Sequence, residues 1–212
     1  MLISRLYAAW TLGALMLSAH ALVSPAQAAS PSFDCAKTEG RAEELICGDR
    51  ELAIIDVEAT RLFRLVRDGG NKPEDEKKAL NRDRLEWQKM RDECWIAGDL
   101  RSCIISSYAL RIHALREKHA EARTSDDKGI TKGPFDIRCK NLKQTVKATF
   151  ISSNPPVSTV QFPGSVHVGI GEGYRYIERG PNGEMAFWTV GNGAFLKMPN
   201  GVSYNCSLHR GK

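Results

Sequence analysis

Six cysteines, Cys35, Cys47, Cys94, Cys103, Cys139 and Cys206, all lie downstream of an apolar leader, and this constrains the fold more than any other feature. Arg5 precedes an apolar run from Leu6 to Val23, broken by Ser18 and His20, and Pro25-Ala26-Gln27-Ala28 offers small residues where a signal peptidase reads them. Residues 1–28 are therefore expected to be a signal peptide cut after Ala28, with Ala29 as the rival position. No cysteine stands at that point to carry a lipid, so a periplasmic or secreted protein without stable membrane insertion is expected. In such a compartment an even cysteine count argues for disulfides. No pair has the Cys-x2-4-Cys spacing of a structural zinc site, so no metal is expected.

About 184 of the 212 residues remain after cleavage, enough for one ordinary domain or two small, stapled ones. The pattern favours two. From Glu43 to Val66 apolar residues Leu45, Leu52, Ile55, Leu62 and Val66 recur at helical steps, with Asp49 or Asp34 able to cap the helix. Gly69-Gly70-Asn71-Lys72-Pro73 reads as a stop and restart, with Asn71 a possible cap. A second helix is expected over 74–96, with Leu80, Trp87 and Cys94 on one stripe. Gly98-Asp99 starts a third, from Leu100 to about His119, packing through Cys103, Ile104, Ser107, Leu110, Ile112 and Leu115. If these helices are antiparallel, the start of the first lies beside the end of the second. That favours Cys47 with Cys94 and Cys35 with Cys103, while Cys35 with Cys47 and Cys94 with Cys103 stays open.

Residues 120–134 are polar, hold two glycines and a proline, and read as a linker between a helical domain at 30–119 and a β domain at 135–212. In the β domain the apolar period drops to two, and turn signals separate about eight strands: 135–141, 144–151, 157–162, 165–169, 173–178, 184–190, 193–198 and 201–208. So many short strands suggest a small antiparallel barrel whose first and last strands are joined by Cys139 and Cys206. The expected fold is α+β in two domains, a three-helix antiparallel disulfide-stapled bundle followed by that barrel. Charge divides unevenly: 30–133 carries 20 Lys/Arg against 21 Asp/Glu, and 134–212 carries 9 against 4. The basic half could face an anionic partner or serve solubility alone.

Specific motifs sharpen this. Phe33-Asp34-Cys35, Glu44-Leu45-Ile46-Cys47 with Leu52 and Asp56, Trp87-x-x-x-Arg91-x-x-Cys94, and Cys103 with Tyr108 and Arg111 resemble the N-terminal domain of the LprI family of lysozyme inhibitors over residues 33–116. Trp87 and Arg91 there suit core packing and an intradomain ion pair. Glu172-Gly173-Tyr174-Arg175-Tyr176 and Phe187-Trp188-Thr189-Val190-Gly191 resemble the loop and strand of MliC/PliC-type inhibitors of C-type lysozyme, a disulfide-bonded β-barrel family. That resemblance implies a lysozyme-binding surface made of Glu172, Gly173, Tyr174, Arg175, Tyr176, Trp188 and Val190. The family's loop serine and strand lysine enter the lysozyme cleft, and here Glu172 and Val190 hold those positions. Lysozyme works with two cleft carboxyl groups, so a third carboxylate within about 4 Å is repelled by about 1–4 kcal/mol, depending on screening.

Catalytic chemistry has little to build on in the mature sequence. His113 and His119 lie six apart on a helix, and His167 and His209 are isolated in the β half. Gly169-Ile170-Gly171-Glu172-Gly173 lies among strands, which is not a phosphate-loop context, and reads as a turn that lets the barrel bend. The expectation is a bacterial envelope protein that is not an enzyme, uses no cofactor and binds no nucleic acid. It inhibits lysozyme, or serves as an envelope binding or assembly module on the same scaffolds.

Overall fold

The computed structural model describes residues 29–210; the expected signal peptide and its cleavage site lie outside them. Four α-helices precede eight strands: α1 (Arg41–Gly48), α2 (Arg50–Asp68), α3 (Glu74–Asp92), α4 (Leu100–Lys118), β1 (Thr131–Cys139), β2 (Val146–Ile151), β3 (Val157–Phe162), β4 (Ser165–Glu172), β5 (Arg175–Gly180), β6 (Gly183–Val190), β7 (Gly193–Lys197) and β8 (Ser203–Arg210). The expected first helix is thus two. Asp49 adopts an extended backbone between them, and its carboxylate accepts from the amides of Glu51 at 2.9 Å and Leu52 at 3.1 Å, capping α2. Its other oxygen accepts from Arg101 Nε of α4 at 2.7 Å. Burial opposes ionisation there, but the Arg101 and capping hydrogen bonds prevail and hold the carboxyl below its usual range. Asp34 instead caps a short 3-10 turn at Cys35–Lys37, Pro73 rather than Asn71 precedes α3, and the expected second helix tightens into a 3-10 turn at Glu93–Ile96.

The break at Asp49 corrects the favoured disulfide pairing. Cys35 joins Cys47 with Cα atoms 5.9 Å apart, and Cys94 joins Cys103 at 5.7 Å. The short α1 folds back on the turn ahead of it. The Cys94 bridge clamps the corner between α3 and α4. Both bridges therefore close local loops of sequence separation 12 and 9, whereas Cys139–Cys206 spans 67.

The eight strands form a closed antiparallel barrel in sequence order, with β8 returning to β1 and Cys139 opposite Cys206. Ile137, Val146, Ala148, Val160, Met185, Phe187 and Leu196 are buried together within it, beside a run of rings in which Phe150 lies 5.8 Å from Phe135 and Tyr176 and 5.9 Å from Phe187. On the other face of the sheet, Ile151, Val157, Val168 and Ile170 join the core of the helices. This is why Val157, Ser158, Thr159 and Val160 are buried in succession, without the alternation of a half-solvated strand. Gly169 and Gly171, expected in a turn, lie inside β4. A Cβ on Gly169 would stand 2.8 Å from that of Tyr176, and one on Gly171 would stand 2.6 Å from Pro156. Close strand and loop packing, not bending, demands glycine there.

Between the two cores runs α4, buried on more than one side through Ile104, Ile105, Tyr108, Ala109, Ile112, His113, Leu115 and Arg116. Leu110, expected inside, is exposed. His113 contacts Thr149 Oγ1 at 2.9 Å, Thr159 Oγ1 at 3.0 Å and Gln161 Oε1 at 3.0 Å on the barrel wall. Residues 120–134 hold two 3-10 turns and the start of β1. The guanidinium of Arg116 gathers that segment, donating to Gly133 O at 2.8 and 2.6 Å, Ala122 O at 3.1 Å, Thr131 Oγ1 at 3.2 Å and both Asp126 oxygens at 2.9 and 3.0 Å.

Candidate functional site

At one end of the barrel the β4–β5 turn meets the β6–β7 turn. Gly173, with φ of +60°, takes the left-handed conformation of the first, and Gly191, at +58°, that of the second. The tight first turn throws Tyr174 outward, 75% exposed. Its ring stands edge-on to Trp188 of β6 at 6.4 Å, and Trp188 stacks on Phe195 of β7 at 5.3 Å with planes 10° apart. Strand register makes the second contact, because Trp188 and Phe195 are directly opposite in the β6–β7 pair. The Arg175 guanidinium lies 5.9 Å from the Tyr174 ring centroid, and Val190, 68% exposed, ends β6 beside them.

The geometry therefore brings Tyr174, Arg175, Trp188 and Val190 near one face and adds Phe195, which is not among the binding residues expected from the sequence. Its position seven residues after Trp188, across a Gly-Asn-Gly turn, is the signal that could have found it. Tyr176 points the other way, into the interior rings of Phe150 and Phe187, where burial pushes its phenol above the ordinary value. Glu172 is paired. Both Nη atoms of Arg179 donate to its carboxylate, Nη2 to Oε2 at 2.8 Å, and this hydrogen bonding holds the carboxyl below its usual range. Glu172 and Arg179 also border a cleft of about 590 Å³ between α4 and the β4–β5 hairpin.

The helical motif residues form a connected network. Arg91, 1% exposed, donates to Tyr108 Oη at 3.0 Å and to Asp92 at 2.8 Å, and Tyr108 donates to Asp56 Oδ1 at 2.7 Å. Burial, with Asp56 alongside, pushes the Tyr108 phenol well up. Trp87 donates to Ser107 O at 3.3 Å and meets Tyr108 edge-on at 5.2 Å. Cys94 anchors the same core. These contacts fix the bundle.

At the other end of the barrel, Ser165 Oγ lies 3.2 Å from His167 Nε2, and His167 Nδ1 lies 2.7 Å from Glu178 Oε2. The first contact is what strand alternation gives any Ser-x-His, and Ser207 with His209 repeats it at 2.8 Å. Among the described residues no group of three or more His, Cys, Asp or Glu side chains could hold a metal ion, and no helix is long and apolar enough to cross a membrane.

No family model matches the chain, and no solved structure matches it. Curated relatives do. The chain is 26% identical over 151 residues to proteins named lipoprotein LprI from Mycobacterium bovis and from two strains of Mycobacterium tuberculosis, covering 69% of this chain and 71% of each relative. Only 130 of the 212 residues precede β1, so a match of that extent reaches into the barrel. By sequence, then, this helix-and-barrel chain is similar to the mycobacterial proteins named lipoprotein LprI over about two thirds of its length.

Proposed function

We propose that the chain is an exported, periplasmic or secreted protein inhibitor of lysozyme, acting stoichiometrically and without a cofactor. The observation that carries this reading is the ladder Tyr174, Trp188 and Phe195 standing beside Arg175 at one mouth of the barrel. A saccharide-binding cleft with two carboxyl groups is matched by flat rings that cover sugar subsites and a guanidinium that pairs with an anion. The similarity to the LprI lipoproteins and the resemblance of both halves to inhibitor families support the same reading. In it the barrel, an MliC/PliC-like domain, makes the contact, and the helical domain holds the barrel wall. Arg179, which also reaches Glu184, pairs with Glu172 and so weakens its repulsion of the lysozyme carboxyl groups in this arrangement. Arg175 replaces the lysine that Val190 does not supply.

The test is residual cell-wall lysis by C-type, G-type and I-type lysozymes, titrated with the oxidised mature chain. Inhibition of at least one class at micromolar or lower concentration is expected, with W188A and R175Q each weakening it about tenfold or more. No inhibition up to about 100 μM, roughly −5.5 kcal/mol of binding, would sink the proposal. A second reading, an envelope binding or assembly module on the same scaffold, is favoured by one observation: exposed, apolar Val190 stands where the inhibitor family places its cleft-entering lysine. Inhibition insensitive to both W188A and R175Q would move the contact away from this face.

A further inference from the structure

The helical half contains a second concave site, remote in sequence from the barrel loops and independent of the inhibitor reading. Between α2 and α3 lies a cleft of about 210 Å³, and Arg64, Arg67, Arg84 and Arg111 line it together with Phe63 and Trp87. Two aromatic faces carry three of these guanidinium groups. Arg67 and Arg84 sit 5.7 and 5.5 Å from the Phe63 centroid, and Arg111 sits 5.6 Å from that of Trp87.

Their charges are unevenly matched. Arg67 pairs with its neighbour Asp68, and Arg111 uses Nη1 on Asp83. Arg84 donates to the neutral amide of Gln88 at 2.9 Å and, like Arg64, has no carboxylate partner among the described residues. The remaining acid of the lining, Asp56, is taken up by Tyr108 Oη at 2.7 Å and the Ser32 amide at 2.5 Å.

One atom is left over. Arg111 is only 9% exposed, and its Nη2 is buried with no hydrogen-bond partner. A buried donor without an acceptor is costly and rare in folded proteins. The guanidinium fork is shaped to give parallel hydrogen bonds to the two oxygens of a carboxylate or phosphate. Aromatic walls behind the arginines hold their planes in place, so less freedom is lost when an anion arrives.

We propose that this cleft is a binding site for a small oxyanion, the phosphate or carboxylate group of a ligand, held by Arg111, Arg84 and Arg64. Gln88 and the Ser32 side chain line the same cleft and supply neutral donors at its rim. The size of the cleft suits a single anionic group with a short attached body.

The experiment is a nuclear magnetic resonance titration of the oxidised mature chain with inorganic phosphate and, separately, with acetate, at constant ionic strength set by chloride. Saturable shifts confined to the Trp87 indole, the Gln88 side chain and the Ser32 amide are expected, with a millimolar or tighter dissociation constant. R84Q and R111Q should each weaken binding at least fivefold. Arg64 is exposed, so R64Q retains the fold and reads the site even if R111Q does not fold; it should weaken binding about threefold. Saturation by phosphate alone assigns phosphate groups, by acetate alone carboxylates, and by both a general oxyanion site. Shifts that grow linearly without saturation, or spread over the basic residues of the barrel, overturn the proposal. So does binding unchanged in R64Q and R84Q.

Discussion

The two halves solve the problem of being small in opposite ways. The helical half buries charge: Asp56, Glu58, Arg91 and Arg116 are all inside, each with polar partners, and its two disulfides close loops of about a dozen residues or fewer. The barrel buries hydroxyl groups at most, at Thr131, Thr149, Ser158 and Thr159, and relies on a continuous ring of strands and one long-range bridge. The difference teaches where each half is vulnerable. A bundle held by paired charges fails when one partner is removed, whereas a barrel fails when its ring is opened.

The strongest way to break this comparison is R116M. It leaves Asp126 and the carbonyl of Gly133 without their donor at the meeting point of both halves, and about 3–5 kcal/mol of stability should be lost in urea unfolding. A loss below about 1 kcal/mol would mean that the charge network is ornamental. Removing disulfides sharpens the contrast. Replacing Cys139 and Cys206 with serine should cost about 4 kcal/mol, and replacing Cys94 and Cys103 about 3 kcal/mol, because a longer closed loop restrains the unfolded chain more. Equal or reversed losses would show that native packing, not loop length, sets the contribution.

A smaller effect tests the seam between the halves. Burial of His113 lowers its pKa from the ordinary 6.5, only partly offset by the hydrogen bond to Gln161. The unfolded chain therefore takes up the proton more readily. The stability contributed by neutral His113 is complete above 6.5 and falls as pH drops through and below that value. Urea midpoints at pH 7.5 and pH 5 should differ more in the wild type than in H113Q, and an equal drop would place the proton uptake elsewhere. The smallest effect is expected from D49A, about 1 kcal/mol for a lost helix cap, read from the thermal midpoint.

Much of the barrel was legible because glycine and proline punctuate it. Pro163-Gly164, Gly191-Asn192-Gly193 and Pro199-Asn200-Gly201 set strand limits within a few residues, and the period-two pattern set the faces. Legibility was lost where one residue had two neighbours. The stripe from Leu45 to Leu52 continues in step across Asp49, so periodicity alone conceals a break that a carboxylate imposes. Burial of His113 and Arg116 runs against their polarity, and only the barrel wall behind α4 explains it. In the candidate site, Tyr174 and Trp188 could be picked out by type and position. The inward turn of Tyr176 and the pairing of Glu172 with Arg179 needed strand register and hairpin twist, which no single motif encodes.

Closure of the barrel by its last strand has a consequence in time. Because β8 supplies the missing neighbour to both β1 and β7, a chain made from its N-terminus leaves two unpaired sheet edges until residues 203–210 have emerged. During that interval the nascent sheet is open to pairing with other chains. Pairing of β8 with β1 and β7, which sets Cys139 opposite Cys206, closes both edges at once.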